Sequence, residues 1–165
     1  MPVRLVFRVP EHVLKAQASA IGDERDDALA RDLVDTMRAS PACVGLAAPQ
    51  IGVSRRAIAV DVSGHPKATT VHGLVVLFDP TVTESSGVVV GREGCMSVPD
   101  LTANVARATH VVVEGRTPDG QSVVISSEGF EARALQHEID HIDGLLILDR
   151  VASLTTDVFH RKVYK

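Results

Sequence analysis

The sequence predicts an α+β fold, with antiparallel β-sheets packed around a central metal-binding α-helix. Three observations lead there. The stretch Gln136-His137-Glu138-Ile139-Asp140-His141 places two histidines one helical turn apart, on a segment that also carries two apolar stripes. Short runs rich in Val, Ile and Leu fill the middle of the chain without the regular strand–helix alternation of a parallel α/β protein. Hydrophobic residues make up 45% of 165 positions, with no Trp and one Tyr, so the core is aliphatic and large enough for one domain over residues 1–165.

Taken in order, Val3 to Val9 reads as irregular or as an edge strand, and Glu11 to Lys15 as a turn of helix. Asp23 to Ser40 reads as a helix, with Leu29, Leu33 and Met37 at i, i+4 and i+8, Asp23 or Asp26 as its cap and Pro41 as its stop. The segment Cys43 to Gly52 is dense in small residues, which let backbone approach another chain or a ligand closely. Arg56 to Val62 and Gly73 to Phe78 read as strands, and the loop between them holds His65, which with His72 reads as an ordinary surface residue. Thr81 to Glu84 and Val88 to Val90 read as short strands broken at Ser85-Ser86-Gly87. Ala106 to Glu114 and Gln121 to Ser126 form an expected hairpin around Pro118-Asp119-Gly120.

The central helix follows. Phe130, Ala134, His137 and His141 form one stripe, and Leu135, Ile139 and Ile142 a second, so the helix packs on more than one side. Gly129 marks its entry and Asp143-Gly144 its exit, with Gly144 in the left-handed position past the last turn. Leu145 to Leu148 is a short apolar segment, and the tail from Ser153 ends basic, at His160 to Lys165.

Composition excludes several classes. A net charge of −4 argues against a nucleic-acid binder, which carries a basic face. Met1 to Pro10 lacks the apolar core of a signal peptide, and no apolar run approaches the ~18 residues of a membrane span, so a cytoplasmic location is expected. Two cysteines without an export signal suggest free thiols in a reducing compartment.

His137 and His141 share a helix face and can bind one divalent metal ion, while Glu138 lies close enough to take a proton from water at the metal. A bound metal lowers the pKa of that water to about 7. The third ligand decides the class. An extended zinc-protease motif would end at Ile147, which cannot bind metal, and no Glu follows Glu138. The candidates are Asp149, Asp157 and His160 downstream and the thiols of Cys43 and Cys95 upstream. Gln50, a lone amide among apolar neighbours, reads either as a hydrogen-bonded core amide or as a donor to a substrate oxygen.

Three segments together resemble the peptide deformylase family. Cys43 to Gln50 matches its motif Gly-x-Gly-x-Ala-Ala-x-Gln except at the first residue, Glu93-Gly94-Cys95-Met96-Ser97 matches the second, and Gln136 to His141 matches the third, in the same order. The resemblance implies Cys95, His137 and His141 as metal ligands and Glu138 as general base and then acid. It implies Gln50 and the backbone N–H of Met96 as oxyanion donors, and Gly45 as a backbone contact to the peptide. Val44, Phe130 and Ala134 match pocket positions for the methionine side chain. The implied reaction removes the formyl group from the N-terminal formyl-methionine of newly synthesised polypeptides. Fe²⁺ is the implied physiological metal, vulnerable to oxidation, and Zn²⁺, Ni²⁺ or Co²⁺ suit the same thiolate-containing site. The partners implied are N-formylmethionyl nascent peptides, with the short basic tail a candidate for transient ribosome contact and no membrane or direct nucleic-acid site. Cys43 replaces the family glycine and reads as a small buried residue, which bears on pocket shape near Val44.

Two other readings compete. A metallo-endopeptidase would need a ligand downstream of His141, and a non-catalytic relative would bind peptide or ribosome without the full set of catalytic residues.

Overall fold

The computed structural model describes residues 3–161. Two antiparallel sheets enclose one helix. The larger has strand order β1-β2-β3-β6-β7, built from β1 (Gly45–Ala47), β2 (Ala57–Val60), β3 (Val75–Ser86), β6 (His110–Arg116) and β7 (Ser122–Glu128). The smaller, β4-β5-β8, comprises β4 (Val89–Cys95), β5 (Val98–Arg107) and β8 (Val158–His160). The helices are α1 (Asp27–Ala39), α2 (Gly129–Ile142) and the single turn α3 (Ile147–Arg150).

β2 shows how the layers form. Its four residues are all fully buried, because the strand is covered on both faces. Ile58 and Val60 pack with Leu135, Ile139 and Ile142 of α2, whereas Ala57 and Ala59 pack with Leu29, Leu33 and Met37 of α1. The β1–β2 end of the larger sheet therefore lies between α1 and α2. A third cluster, formed by Cys95, Val98, Ala103, Val105 and Ile147, seats α3 on the smaller sheet.

Local signals set the helix ends. Asp26 caps α1 by accepting from the Leu29 N–H at 3.0 Å, so the helix begins three to four residues later than the charge pattern suggested. At the end of α2, Gly144 N–H reaches the His141 carbonyl at 3.1 Å and Leu145 N–H reaches that of Asp140 at 2.9 Å, the paired bonds of a Schellman ending. Gly144 has φ +77°.

The strands differ from expectation in four places. Residues 75–86 form one strand, with register shifts at Phe78/Thr81 and Val82/Glu84, rather than two separated pieces. Ala106 and Arg107 end β5, and the hairpin begins at His110. The polar stretch from Val98 forms the ten-residue β5, central in its sheet. The tail contributes β8, which pairs with β5 through Leu101↔His160, Thr102↔Phe159 and Ala103↔Val158. His65 and His72 are not idle surface residues. The His65 ring stacks on Phe130 with centroids 4.0 Å apart, and the His72 backbone N–H donates to buried Glu131 at 2.8 Å. Residues 162–165 of the basic tail lie outside the described residues.

A Cβ added at Gly144 would lie 2.6 Å from the Lys15 carbonyl oxygen, in a left-handed backbone region. Gly64 has a similar φ of +78° but open space around it. Gly144→Ala should therefore lower stability by about 2–3 kcal/mol, and Gly64→Ala by about 1 kcal/mol. Thermal unfolding should show midpoint drops of roughly 5–10 °C and 2–4 °C; equal drops would contradict the role of backbone contact at Gly144.

Candidate metal centre and active site

α2 carries the site because its two stripes face different ways. Leu135, Ile139 and Ile142 face the larger sheet, while Phe130, Ala134 and His137 face a cavity of about 360 Å³. Opposite them, β4 ends at Cys95, and Met96-Ser97 form the tight turn into β5. Glu93 and Cys95, two residues apart on β4, point inward to the same side and are both buried.

This arrangement brings one ligand atom each from Cys95, His137 and His141 within 4.8 Å of one another. Cys95 Sγ lies 3.3 Å from His141 Nε2. Burial alone would raise the Cys95 thiol, but the His141 and His137 imidazoles beside it pull it well below the usual thiol range. Asp149, Asp157 and His160 do not join the cluster. Asp149 pairs with Lys15, Asp157 accepts from the Ser153 N–H, and His160 lies exposed in β8. The endopeptidase reading thus loses its downstream ligand.

The remaining sequence candidates line the same cavity: Val44, Gly45, Gln50, Met96, Phe130, Ala134 and Glu138. The Gln50 side-chain oxygen, Oε1, accepts from the Ala47 N–H at 3.0 Å. Its amide nitrogen lies 3.1 Å from Ser97 Oγ and 3.6 Å from Cys95 Sγ, so the amide is at once a tied core group and a donor aimed at the cluster. Glu138 is 4% exposed. Its carboxyl pKa is raised, chiefly by burial, against the opposing pull of His137 and His141. Gly45 answers to Glu138, because a Cβ there would sit 2.8 Å from Glu138 Oε1. Cys43 is half-buried at the cavity wall instead of fully buried. Its thiol donates to the Gly45 carbonyl at 3.1 Å, and burial pushes its pKa up to about 11. The left-handed residue there is Ala42, at φ 57°, one position earlier.

A family model described as polypeptide deformylase matches residues 3–157. The chain is 37% identical to the peptide deformylase of Thermodesulfovibrio yellowstonii, over 98% of this chain and 97% of that one. It is 40% identical to that of Halothermothrix orenii, over 93% and 97%. The chain belongs to the peptide deformylase family. Solved structures agree. The peptide deformylase of Legionella pneumophila superposes with a TM-score of 0.82 at 35% identity, covering 92% of this chain and 88% of that one. A class I type b peptide deformylase of Acinetobacter baumannii, solved with Met-Ala-Ser bound, gives 0.82 at 34% identity, covering 92% and 100%. As a peptide deformylase the protein is a hydrolase that removes the N-formyl group from an N-terminal methionine.

The family depends on a metal, and the residues present fit one. One buried thiol and two imidazoles converge, and Glu138 Oε2 is buried beside them without a hydrogen-bond partner among the described residues. One sulfur and two nitrogens suit a borderline divalent ion and leave room for a further ligand.

Sequence reasoning assigned no role to the charges behind this cluster. Glu93 Oε1 lies 2.8 Å from His137 Nδ1, and the Arg107 guanidinium grips both Glu93 oxygens at 3.0 Å. Arg133 adds a contact to Glu93 at 2.6 Å, and Arg107 also reaches Asp140, which Arg150 holds from the other side. Burial would raise the Glu93 carboxyl, but the bonds from His137 and Arg107 hold it down at about 2. Gln136 clamps α2 to the β5–β6 turn through the Ala108 N–H and carbonyl, both at 3.0 Å. The signal for Glu93 was its i, i+2 spacing to Cys95 on a strand.

Cys95→Ala should lose tight metal binding, while Cys43→Ala should keep it. Elemental analysis of both purified variants checks this, and stoichiometric metal in folded Cys95→Ala would remove Cys95 from the ligand set.

Proposed function

We propose that Cys95, His137 and His141 hold the metal on which this deformylase depends, and that Glu138 and Gln50 act beside it on the formyl group. What carries this reading is the meeting of three ligand atoms next to a buried carboxylate whose Oε2 has no partner among the described residues. When bound, the metal acidifies water and polarises the formyl oxygen.

The chain's own groups supply the rest. Glu138 accepts the proton of the attacking water and returns it to the leaving amine. The Gln50 amide and the Met96 backbone N–H donate to the oxygen that becomes negative, a contact whose loss in comparable sites costs about 10²–10³ in rate. Val44, Phe130 and Ala134 form an apolar wall for the methionine side chain, and His65 backs it by stacking on Phe130. Gly45 offers backbone to the peptide while leaving space for Glu138. The substrate is the formyl-methionyl end of nascent polypeptides. The Met-Ala-Ser found on the Acinetobacter baumannii relative supports a peptide of this kind.

We infer Fe²⁺ as the metal in the cell from the family resemblance, and the one-sulfur, two-nitrogen set also suits Zn²⁺, Ni²⁺ or Co²⁺. In this reading residues 1–165 act as one catalytic domain in the cytoplasm, with transient ribosome contact through the basic tail. Among the described residues no helix is long and apolar enough to cross a membrane.

Glu138→Gln and Glu138→Ala should keep fold and metal but release formate from a formyl-methionyl peptide at least about 10²-fold more slowly, because the proton carrier is gone. Formate release and metal content measured on the same samples decide it. Near wild-type turnover by folded, metal-replete Glu138→Ala would show the proton assignment to be wrong.

A further inference from the structure

The mouth of the cavity carries a feature that deformylation does not require. β8 pairs with β5 and brings Phe159 and Arg161 up to the rim. Arg161 is anchored by its backbone N–H, which donates to the Asp100 carbonyl at 2.9 Å. Its guanidinium lies over Gly94, with Nη2 3.5 Å from the Cys95 carbonyl oxygen. A Cβ at Gly94 would come within 2.4 Å of that nitrogen, so the glycine makes room for the cation. Beside it, the Arg92 guanidinium sits 3.6 Å from the centre of the Phe159 ring, and its Nε donates to Asn104 at 3.1 Å.

Both arginines are exposed and line the cavity. Neither is ion-paired with a carboxylate among the described residues. The two carboxylates that line the cavity offer them nothing. Glu93 is held by Arg107, Arg133 and His137, and Glu138 is buried on the floor. A chain of net charge −4 thus presents, at the cavity rim, two cations with no carboxylate partner among the described residues. A guanidinium held in place by a backbone bond or by ring stacking has less freedom to lose when it pairs with a carboxylate.

We propose that Arg161, with Arg92 beside it, is a specificity residue favouring formyl-peptides with an acidic side chain just after the methionine. This rests on the cavity being the formyl-peptide site. The contact forms on binding and does not change as the formyl group reacts, so it lowers KM and leaves kcat alone. An exposed pair of this kind is worth about a three- to fivefold preference, and salt weakens it.

The test compares formyl-Met-Asp-Ala, formyl-Met-Asn-Ala and formyl-Met-Lys-Ala, each amidated at its C-terminus, on the metal-replete enzyme. Wild type should show a three- to fivefold higher kcat/KM for the Asp over the Asn peptide, through KM, shrinking toward one at 0.5 M salt. Arg161→Gln should bring the Asp/Asn ratio close to one, and Arg161→Glu should invert the order so that the Lys peptide leads. Because each variant is judged by a ratio between peptides, a general loss of activity does not imitate the result. Hydrolysis of the Asn peptide reports separately on the reaction itself. A wild-type ratio of one, or a ratio that survives both substitutions, overturns the proposal.

Discussion

The buried contact between Glu93 and His137 is the constraint on which the site depends. A histidine ring has two nitrogens, and a metal site works only if the right one is bare. Glu93 Oε1 lies 2.8 Å from Nδ1, so Nδ1 carries the proton and Nε2 is left toward Cys95 and His141. A carboxylate 7% exposed could not stay ionised there alone. Arg107 and Arg133 keep it so, and Arg107 also binds Asp140 on the same helix as His137. One connected set of charges therefore ties β4, β5 and α2 together at the point where the ligands meet. Removing a single member would leave a buried charge unpaired, a costly state even where the whole set adds little stability.

The two sheets divide the labour. The larger sheet is covered on both faces at β2 and holds α2 mainly through aliphatic contacts, with the Ser127 hydroxyl of β7 donating to Glu131 at 2.8 Å. The smaller sheet and the residues flanking its strands contribute Cys95, Met96 and the rim arginines, and they meet α2 mainly through charge and the ligand cluster. The cavity lies where these two surfaces face each other, so its floor is built from α2 and its mouth from the ends and edges of strands.

Much of this was legible in the sequence where the signal is local. The two stripes of α2, its glycine exit and the i, i+4 histidines depend only on helical geometry, and the structure has them as read. α1 was legible but its start was not, because Asp23 and Asp26 both resemble caps and only the Leu29 N–H chooses between them. β5 was overlooked because Pro99, Asp100, Thr102 and Asn104 break any apolar alternation; pairing with β4 on one side and β8 on the other makes it a strand. β8, three residues long, has no pattern of its own. His72 read as surface because its partner, Glu131, lies 59 residues away. Long-range pairings of charge leave no trace in local periodicity, which is why Arg107 and Asp140 gained meaning only in three dimensions.

The most direct test of this account is the metal affinity of Glu93→Gln, measured by competition with a chelator, with thermal unfolding followed on the same protein. The amide keeps the shape but offers His137 a weaker acceptor and leaves Arg107 and Arg133 without their counter-charge. The account predicts a folded but less stable protein whose metal binds about 10–100-fold more weakly. A folded variant that binds metal as tightly as wild type would contradict it.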